Sequence, residues 1–320
     1  MQDEQGFDDL FEAMWFGEDG LESLEANAAK SRAASIAQSG IKPFPTSVTR
    51  VAKVVRSGGN ARQVEEVLAT DPVIAARVLQ LASGSVFGAG AVDDLRQAVV
   101  RLGPATIYGL VVEVALQAAY EDLGGAGNAV IEHSADVARC VQMIGLVHPT
   151  SHRFLYLAAL LHDVGKLLLL QSAEHTGGFG HGDGAAAAER DVLGFDHGLL
   201  GAYAAETWGL PEPIPRVIGH HHELGRALTE GGALADGVAS LRVAHDVMSM
   251  ASAAVEPTRD DITIMTRGSA WSWLRLRTGD AQDLMDLWSE RGQVDSATDW
   301  KHRIRAARSR HKNRKLSMAV

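Results

Sequence analysis

The sequence is nearly without cysteine. Cys140 stands alone in 320 residues, so no internal disulfide can form and a reducing compartment is expected. It also has no long hydrophobic run, since none approaches the ~20 apolar residues that span a bilayer. The acidic start "MQDEQGFDD" lacks the basic head and apolar stretch of a signal peptide. Strand signals are scarce, no solenoid repeat is present, and no Gly-rich phosphate loop of P-loop type occurs. A net charge of −10 argues against a nucleic-acid surface spread over the whole body. These absences point to a soluble, cytoplasmic protein with no membrane segment.

What is present is globular composition, with 46% hydrophobic residues and a mean hydropathy of −0.03. That is enough chain for a sizeable core in one to three domains. Charge concentrates at the ends. Residues 1–30 carry nine acids and one base, and residues 301–320 carry eight Lys or Arg and no acid.

Helical periodicity runs through the whole sequence and predicts an all-α fold. Phe7, Leu10, Phe11, Met14 and Trp15 form one apolar stripe in a short N-terminal helix. Residues 26–40 are Ala/Ser/Gly-rich and read as a linker or a weak helix. Pro43 and Pro45 open a regular region in which Val48, Val51, Val54 and Val55 repeat at helical spacing. "SGGN" at 57–60 stops that helix. Asp71 and Pro72 suit the N-cap and first position of another. "DLGGAGN" at 122–128 reads as a flexible break. Helices are then predicted near 129–147, 153–171, 188–208, 213–224 and 234–254, with one more opened by Asp280 and carrying Leu284, Leu287 and Trp288.

The chemistry centres on "LLHDVGKLLLL", residues 160–170. A carboxylate inside such a leucine-rich core is costly unless it is paired or bound to a metal. Alone, His162 and Asp163 would be a satisfied core pair. They are accompanied by His133 in "IEHSADVARC", His197 in "FDHGLLGAY", His221 and His222 in "GHHHEL", and Asp246 in "VAHDVMSM". Imidazole and carboxylate together suit divalent zinc, iron, manganese or magnesium. An aspartate can bridge two ions, as in two-metal hydrolytic sites. Lys166 stands one helical turn after His162, and a cation beside a metal suits a phosphate. Gly165 leaves room for close packing or ligand approach.

"LLHDVGK", with His133 upstream and His197, His221–His222 and Asp246 downstream, resembles the HD superfamily of metal-dependent phosphohydrolases. Its signalling branch, the HDOD family, is resembled more closely. The shared features, in the family's order, are the proline-rich entry "IKPFPTSVTRVAKVV", the "TDP" helix start, "VFG", "RLG", "LLHDVGK" and "HHHE". The resemblance covers about residues 41–250. It implies a two-lobed helical fold with an HD-type bundle as the second lobe: 41–125 and 126–256. Residues 1–40 would be an acidic arm, 257–300 a helical extension and 301–320 a basic tail.

The resemblance also implies His162 and Asp163 as central ligands, with His133, His197 and Asp246 completing a first metal shell or its rim. His221 and His222 would serve a second metal, so one or two divalent ions are implied. Asp163 and Lys166 would be the catalytic pair if the site turns over. Two departures stand out. The Gly-Tyr-Pro element of the superfamily's cyclic-dinucleotide phosphodiesterases is missing from "HHHELGRALTEGG", which lowers the expectation of cyclic-di-GMP hydrolysis. The family's usual Asn in "LASGSVFG" is Ser83.

Other features read more plainly. His148, His152, His175, His181, His245, His302 and His311 have no ligand spacing, and His220 stands where an aromatic residue is common. Cys140 reads as core, and Trp271, Trp273, Trp288 and Trp300 read as packing. The tail "KHRIRAARSRHKNRK" offers a footprint for nucleic acid, with a solvated tail as the simpler reading. Three functions follow, in order: a regulatory module acting through a signalling protein partner; a metal-dependent phosphohydrolase acting on a nucleotide or phosphoester; and a hydrogen-bonded core network without metal.

Overall fold

The computed structural model describes residues 24–83, 92, 94–147, 154–172 and 182–289. The stripe from Phe7 to Trp15, "VFG", His148, His152, His175, His181, Trp300, and the basic tail with His302 and His311 lie outside them. Every regular element among the described residues is helical, and none is a strand. The fold is all-α, as the periodicity predicts. The chain divides into two compact units, each built from three stretches. The first comprises residues 1–44, 117–134 and 158–238, and the second 45–116, 135–157 and 239–320.

In the first unit the leucine-rich segment is two helices, not one. Leu155–Leu161 ends before the His-Asp dipeptide and Val164–Gln171 begins after it. Leu160, Leu161, Leu167 and Leu168 are each 1% exposed or less. Burial of such side chains stabilises the fold by roughly 1.5–3 kcal/mol each. Val164–Gln171 packs on His197–Thr207, which packs on Ile214–Gly219. The first crossing requires Gly165, because a Cβ there would lie 1.9 Å from the His197 carbonyl oxygen. Of the two roles open to Gly165 from the sequence, close packing is the one observed.

The stretch read as one helix over 188–208 is also broken. Asp183–Leu193 stops at Gly194, whose φ of +85° favours glycine. Asp196 then caps His197–Thr207 by accepting from the Leu199 N–H at 3.2 Å. Arg190 holds the same carboxylate through Nε at 2.9 Å and Nη2 at 2.5 Å.

Residues 26–40, read from composition as a linker or weak helix, lie in the helix Leu24–Gly40. It packs on Val164–Gln171 and His197–Thr207. Its buried face is Ala29, Ala33, Ile36 and Ala37. Small side chains let this helix sit close: the Gly194 position is within reach of Ala29, and Arg32 Nη1 donates to the Leu193 carbonyl at 3.1 Å. Likewise "DLGGAGN" is not a free break. A 3-10 turn, Glu121–Leu123, leads straight into the helix Gly124–Val147.

In the second unit, Asn60 and Gln63 form a capping box at Ala61–Leu68. Asp71 caps Pro72–Ala82, accepting from Ile74 N–H at 3.2 Å. Glu113 on Pro104–Ala119 is 1% exposed and accepts from Arg139 Nη2 at 2.7 Å. Thr278–Ser289 holds Asp280 in its first turn and buries Leu284, Leu287 and Trp288. Trp271 is fully buried and donates through Nε1 to Asp246 Oδ2 at 2.9 Å.

Candidate metal centre

Two helix ends and two helix starts in the first unit supply the site. His162 follows the C-terminal end of Leu155–Leu161, where carbonyls lack intrahelical donors. Its Nδ1 lies 2.7 Å from the Ala159 oxygen, three residues back. His221 repeats the device beyond Ile214–Gly219, with Nδ1 2.6 Å from the Ile218 oxygen. A carbonyl oxygen only accepts, so in both rings Nδ1 carries the proton and Nε2 presents a lone pair.

The other two imidazoles are fixed by carboxylates. His197 Nδ1 lies 2.6 Å from Glu189 Oε2, and His222 Nδ1 lies 3.0 Å from Asp183 Oδ1. All four Nδ1 positions are therefore committed to oxygen acceptors, and all four Nε2 atoms are left for the interior of the cluster. His197 Nε2 is 3.3 Å from His221 Nε2 and 3.0 Å from His222 Nε2.

Asp163 is the centre of this arrangement. It occupies the N-cap position of Val164–Gln171, yet its side chain makes no capping bond. Its backbone, at φ −101° and ψ 8°, lies in the sparsely populated bridge region where active-site residues recur. The carboxylate is turned to the imidazoles instead. Oδ1 is 3.1 Å from His197 Nε2 and 3.8 Å from His221 Nε2. Oδ2 is 2.8 Å from Lys166 Nζ, 3.6 Å from His162 Nε2 and 3.8 Å from His133 Nε2. Asp163 is 2% exposed and His197 is wholly buried.

The protonation states follow from these neighbours. Burial opposes the charge of Asp163, but His162, the bond from His197 and Lys166 outweigh it and hold the carboxyl well below its usual range. Burial likewise opposes a charged His197, but its bonds to Asp163 and Glu189 prevail and push it up to about 9. His221 moves the opposite way. Burial first, then His222, His197 and His162, press it well below the usual imidazole value. His222 is lowered by burial and by His197. Without a metal the cluster thus pairs a charged His197 with an ionised Asp163, while His221 and His222 are held neutral.

The donor set fits a divalent cation. Four fixed imidazoles and one carboxylate are the ligand chemistry of zinc, iron or manganese. His197 Nε2 lies 3.3 Å from His221 Nε2 and 3.0 Å from His222 Nε2, and its one proton can serve only one neighbour at a time. A cation in place of that proton would bind the three nitrogens together. The spacing is close to the roughly 3.3 Å that separates two nitrogens each bound to a tetrahedral zinc at ~2.0–2.1 Å. Two donor groups lie wholly within the first unit, His162–Asp163–His221 and His197–His221–His222, and both include His221.

Of the residues singled out in the sequence, His162, Asp163, Lys166, His197, His221 and His222 are brought together, with His133 at the rim. Asp246 belongs to the second unit, where it accepts from Trp271 and faces Arg242 Nε at 3.6 Å. Lys166 contacts the carboxylate, so it is a partner of Asp163 in this state. His220, set aside as a ligand, donates through Nδ1 to Glu223 Oε2 at 2.9 Å and stays out of the cluster's bonds. Sequence reasoning missed Glu189, Asp183, Arg190 and Asp196. The only signal for Glu189 was an acid within an alanine-rich helix next to "FDH".

The HDOD domain model matches residues 41–224. Among solved structures, the chain is similar to an HDOD domain protein of unknown function from Geobacter sulfurreducens, with 21% identity and a TM-score of 0.61, covering 82% of this chain and 98% of that one. A Shewanella amazonensis protein provisionally named a phosphohydrolase gives 21% identity and a TM-score of 0.64, over 87% and 100%. A Marinobacter aquaeolei protein provisionally named a signal transduction protein gives 19% identity and a TM-score of 0.58, over 87% and 66%. These likenesses establish the fold. No curated protein matches the chain. Among the described residues, no single helix is long and apolar enough to cross a membrane. The match covers more than half the sequence, and the chain belongs to the HDOD domain family.

Proposed function

We propose that this chain is a signal-transducing HDOD protein whose His/Asp cluster binds a divalent metal and which acts through a protein partner. One observation carries the reading: four imidazoles with Nδ1 already engaged gather their Nε2 atoms in one cluster, and three of them, His162, His197 and His221, face the buried Asp163 carboxylate. Without a cation, the single His197 Nε2 proton cannot satisfy Asp163, His221 and His222 together, which is costly in a low-dielectric interior. His162, Asp163, His197, His221 and His222 would hold the ion, with His133 at its edge. A bound cation would supply Lewis acidity toward a water or a phosphate oxygen.

Two features favour regulation over turnover. The cluster is closed: His162, Asp163 and His197 are each 2% exposed or less, and His221 is 9% exposed. Lys166 Nζ is spent on Asp163 Oδ2 at 2.8 Å instead of being presented to a substrate. The lack of Gly-Tyr-Pro after the paired histidines agrees. The shared fold with the Marinobacter aquaeolei protein is in keeping with a signalling role.

A second reading, a metal-dependent phosphohydrolase acting on a nucleotide or phosphoester, is favoured by one specific observation. Asp163 turns its two oxygens to different imidazoles, Oδ1 to His197 and Oδ2 to His162, as a carboxylate bridging two ions would. Lys166 would then steady a phosphate after leaving the carboxylate. The experiment that separates the readings is a turnover assay of the manganese-, iron- or zinc-loaded full chain on bis(p-nitrophenyl) phosphate and a nucleotide panel. Regulation expects no turnover at ordinary enzyme rates. Turnover that disappears in Asp163→Ala would install the second reading in its place.

A further inference from the structure

The helix Asp183–Leu193 carries none of the residues expected as metal ligands, yet it touches two of them. Glu189 is 1% exposed, and a single oxygen, Oε2, accepts both from the His197 backbone N–H at 2.7 Å and from its Nδ1 at 2.6 Å. A buried carboxylate that spends one oxygen on two donors of the same residue fixes that residue's backbone and ring together. Asp183, at the start of the same helix, holds His222 Nδ1 at 3.0 Å, but its side chain is 54% exposed. The helix is tied to the His197 helix next to it through Arg190, which bonds the cap residue Asp196. Its far end is held by Arg32 on the Leu193 carbonyl.

We infer that Asp183–Leu193 is an orienting helix for the metal centre, with Glu189 as the main positioning residue and Asp183 as a weaker one. The inference rests on the metal-binding reading and deepens it. A carboxylate on the far nitrogen sets the imidazole tautomer, aims Nε2 and raises its basicity, and loss of such a partner typically weakens metal affinity by ~10–100-fold. Glu189 would act in this way on His197, the ring whose Nε2 meets Asp163, His221 and His222 together. Asp183 would act on His222 with less force, since water competes at an exposed carboxylate.

The test uses the full chain, stripped of metal and titrated with zinc. Glu189→Leu is expected to bind zinc ~10–100-fold more weakly than wild type. Glu189→Gln should lose less, because its carbonyl oxygen still accepts from Nδ1–H. Asp183→Ala should lose less than Glu189→Leu. Imidazole N–H chemical shifts of the zinc-loaded protein supply a readout that packing alone would not move. The His197 Nδ1–H should show the shift of a strongly hydrogen-bonded proton in wild type and Glu189→Gln, and that of an unbonded one in Glu189→Leu. Wild-type affinity in a folded Glu189→Leu overturns the inference. Should that variant fail to fold, Glu189→Gln decides: binding several-fold weaker than wild type with the Nδ1–H hydrogen bond kept supports the role, and unchanged binding overturns it. Wild-type affinity in Asp183→Ala removes the His222 half. If wild type itself takes up no zinc, the metal-binding reading falls and this inference falls with it, an outcome distinct from mutants that match a zinc-binding wild type.

Discussion

Two carboxylates, one in each unit, are buried almost equally, and their pKa values move in opposite directions. Glu113 is 1% exposed and Asp163 is 2% exposed. Glu113 lies beside Arg139 in the second unit, and burial still pushes its pKa up despite that guanidinium. Tyr156 nearby is raised by burial first and by Glu113 second. Asp163 suffers the same burial, yet His162, His197 and Lys166 drive it well below the usual range. Burial therefore does not by itself mark a functional site. What distinguishes Asp163 is that both oxygens face groups able to bear or replace positive charge, and that three of those groups, His162, His197 and His221, have been locked from behind. Glu113 and Arg139 form a buried ion pair of the kind that orders a core.

The strongest way to break the Asp163 side is to disturb the frame beneath it. Gly165→Ala places a methyl 1.9 Å from the His197 carbonyl. Backbone cannot yield as a side-chain tip can, so a loss of about 3 kcal/mol or more is expected in urea unfolding. A stable, metal-binding Gly165→Ala protein would show that this crossing is not what positions His197. Next in size, Asp163→Ala should weaken zinc binding by at least ~100-fold, beyond the range for an orienting partner. Glu113→Ala should leave zinc binding at the wild-type level. Equal losses in the two variants, measured by competition with a chelating dye, would erase the contrast.

The smaller effects concern pH. Glu113 has a raised folded-state pKa, so the native state holds its proton where the unfolded chain has lost it. Its contribution therefore favours folding at low pH and declines as pH rises from the unfolded value of 4.5 toward the higher folded value. Glu113→Gln should flatten that segment of the stability curve. Asp163 has the opposite sign: its contribution is present above its unfolded value of 3.8 and fades as pH falls toward the lower folded value. Urea midpoints of metal-free wild type and Glu113→Gln between pH 4 and 7 provide the check. A wild-type curve without the Glu113 decline would mean that Arg139 compensates it fully.

Much of the fold was legible from the sequence because helices advertise themselves locally. The Asp71 cap, the "SGGN" stop and the apolar spacing of Leu284, Leu287 and Trp288 all depend on neighbours a few residues away. The HD residues were legible because charge inside a leucine run needs an explanation. Three things were not. Leu24–Gly40 is rich in alanine, and only its partners show that small side chains are there for close contact. The break around Gly194 is a single left-handed residue inside an otherwise helical pattern. The grouping of three distant stretches into each unit arises from packing, and several of its boundaries fall inside helices, where no loop signal exists. Glu189 was hidden for a related reason. An acid eight residues before a histidine has no periodic relation to it, and only the turn at Gly194–Asp196 brings them to 2.6 Å.

The most direct measurement is the metal content of purified, untagged full-length protein after loading with zinc, manganese or iron and exhaustive washing, beside His162→Ala and Asp163→Ala. The account expects one or two retained equivalents in wild type and loss of metal from both variants. A folded wild type that retains no metal after loading would contradict it, and would leave the imidazoles around Asp163 as a hydrogen-bonded core network.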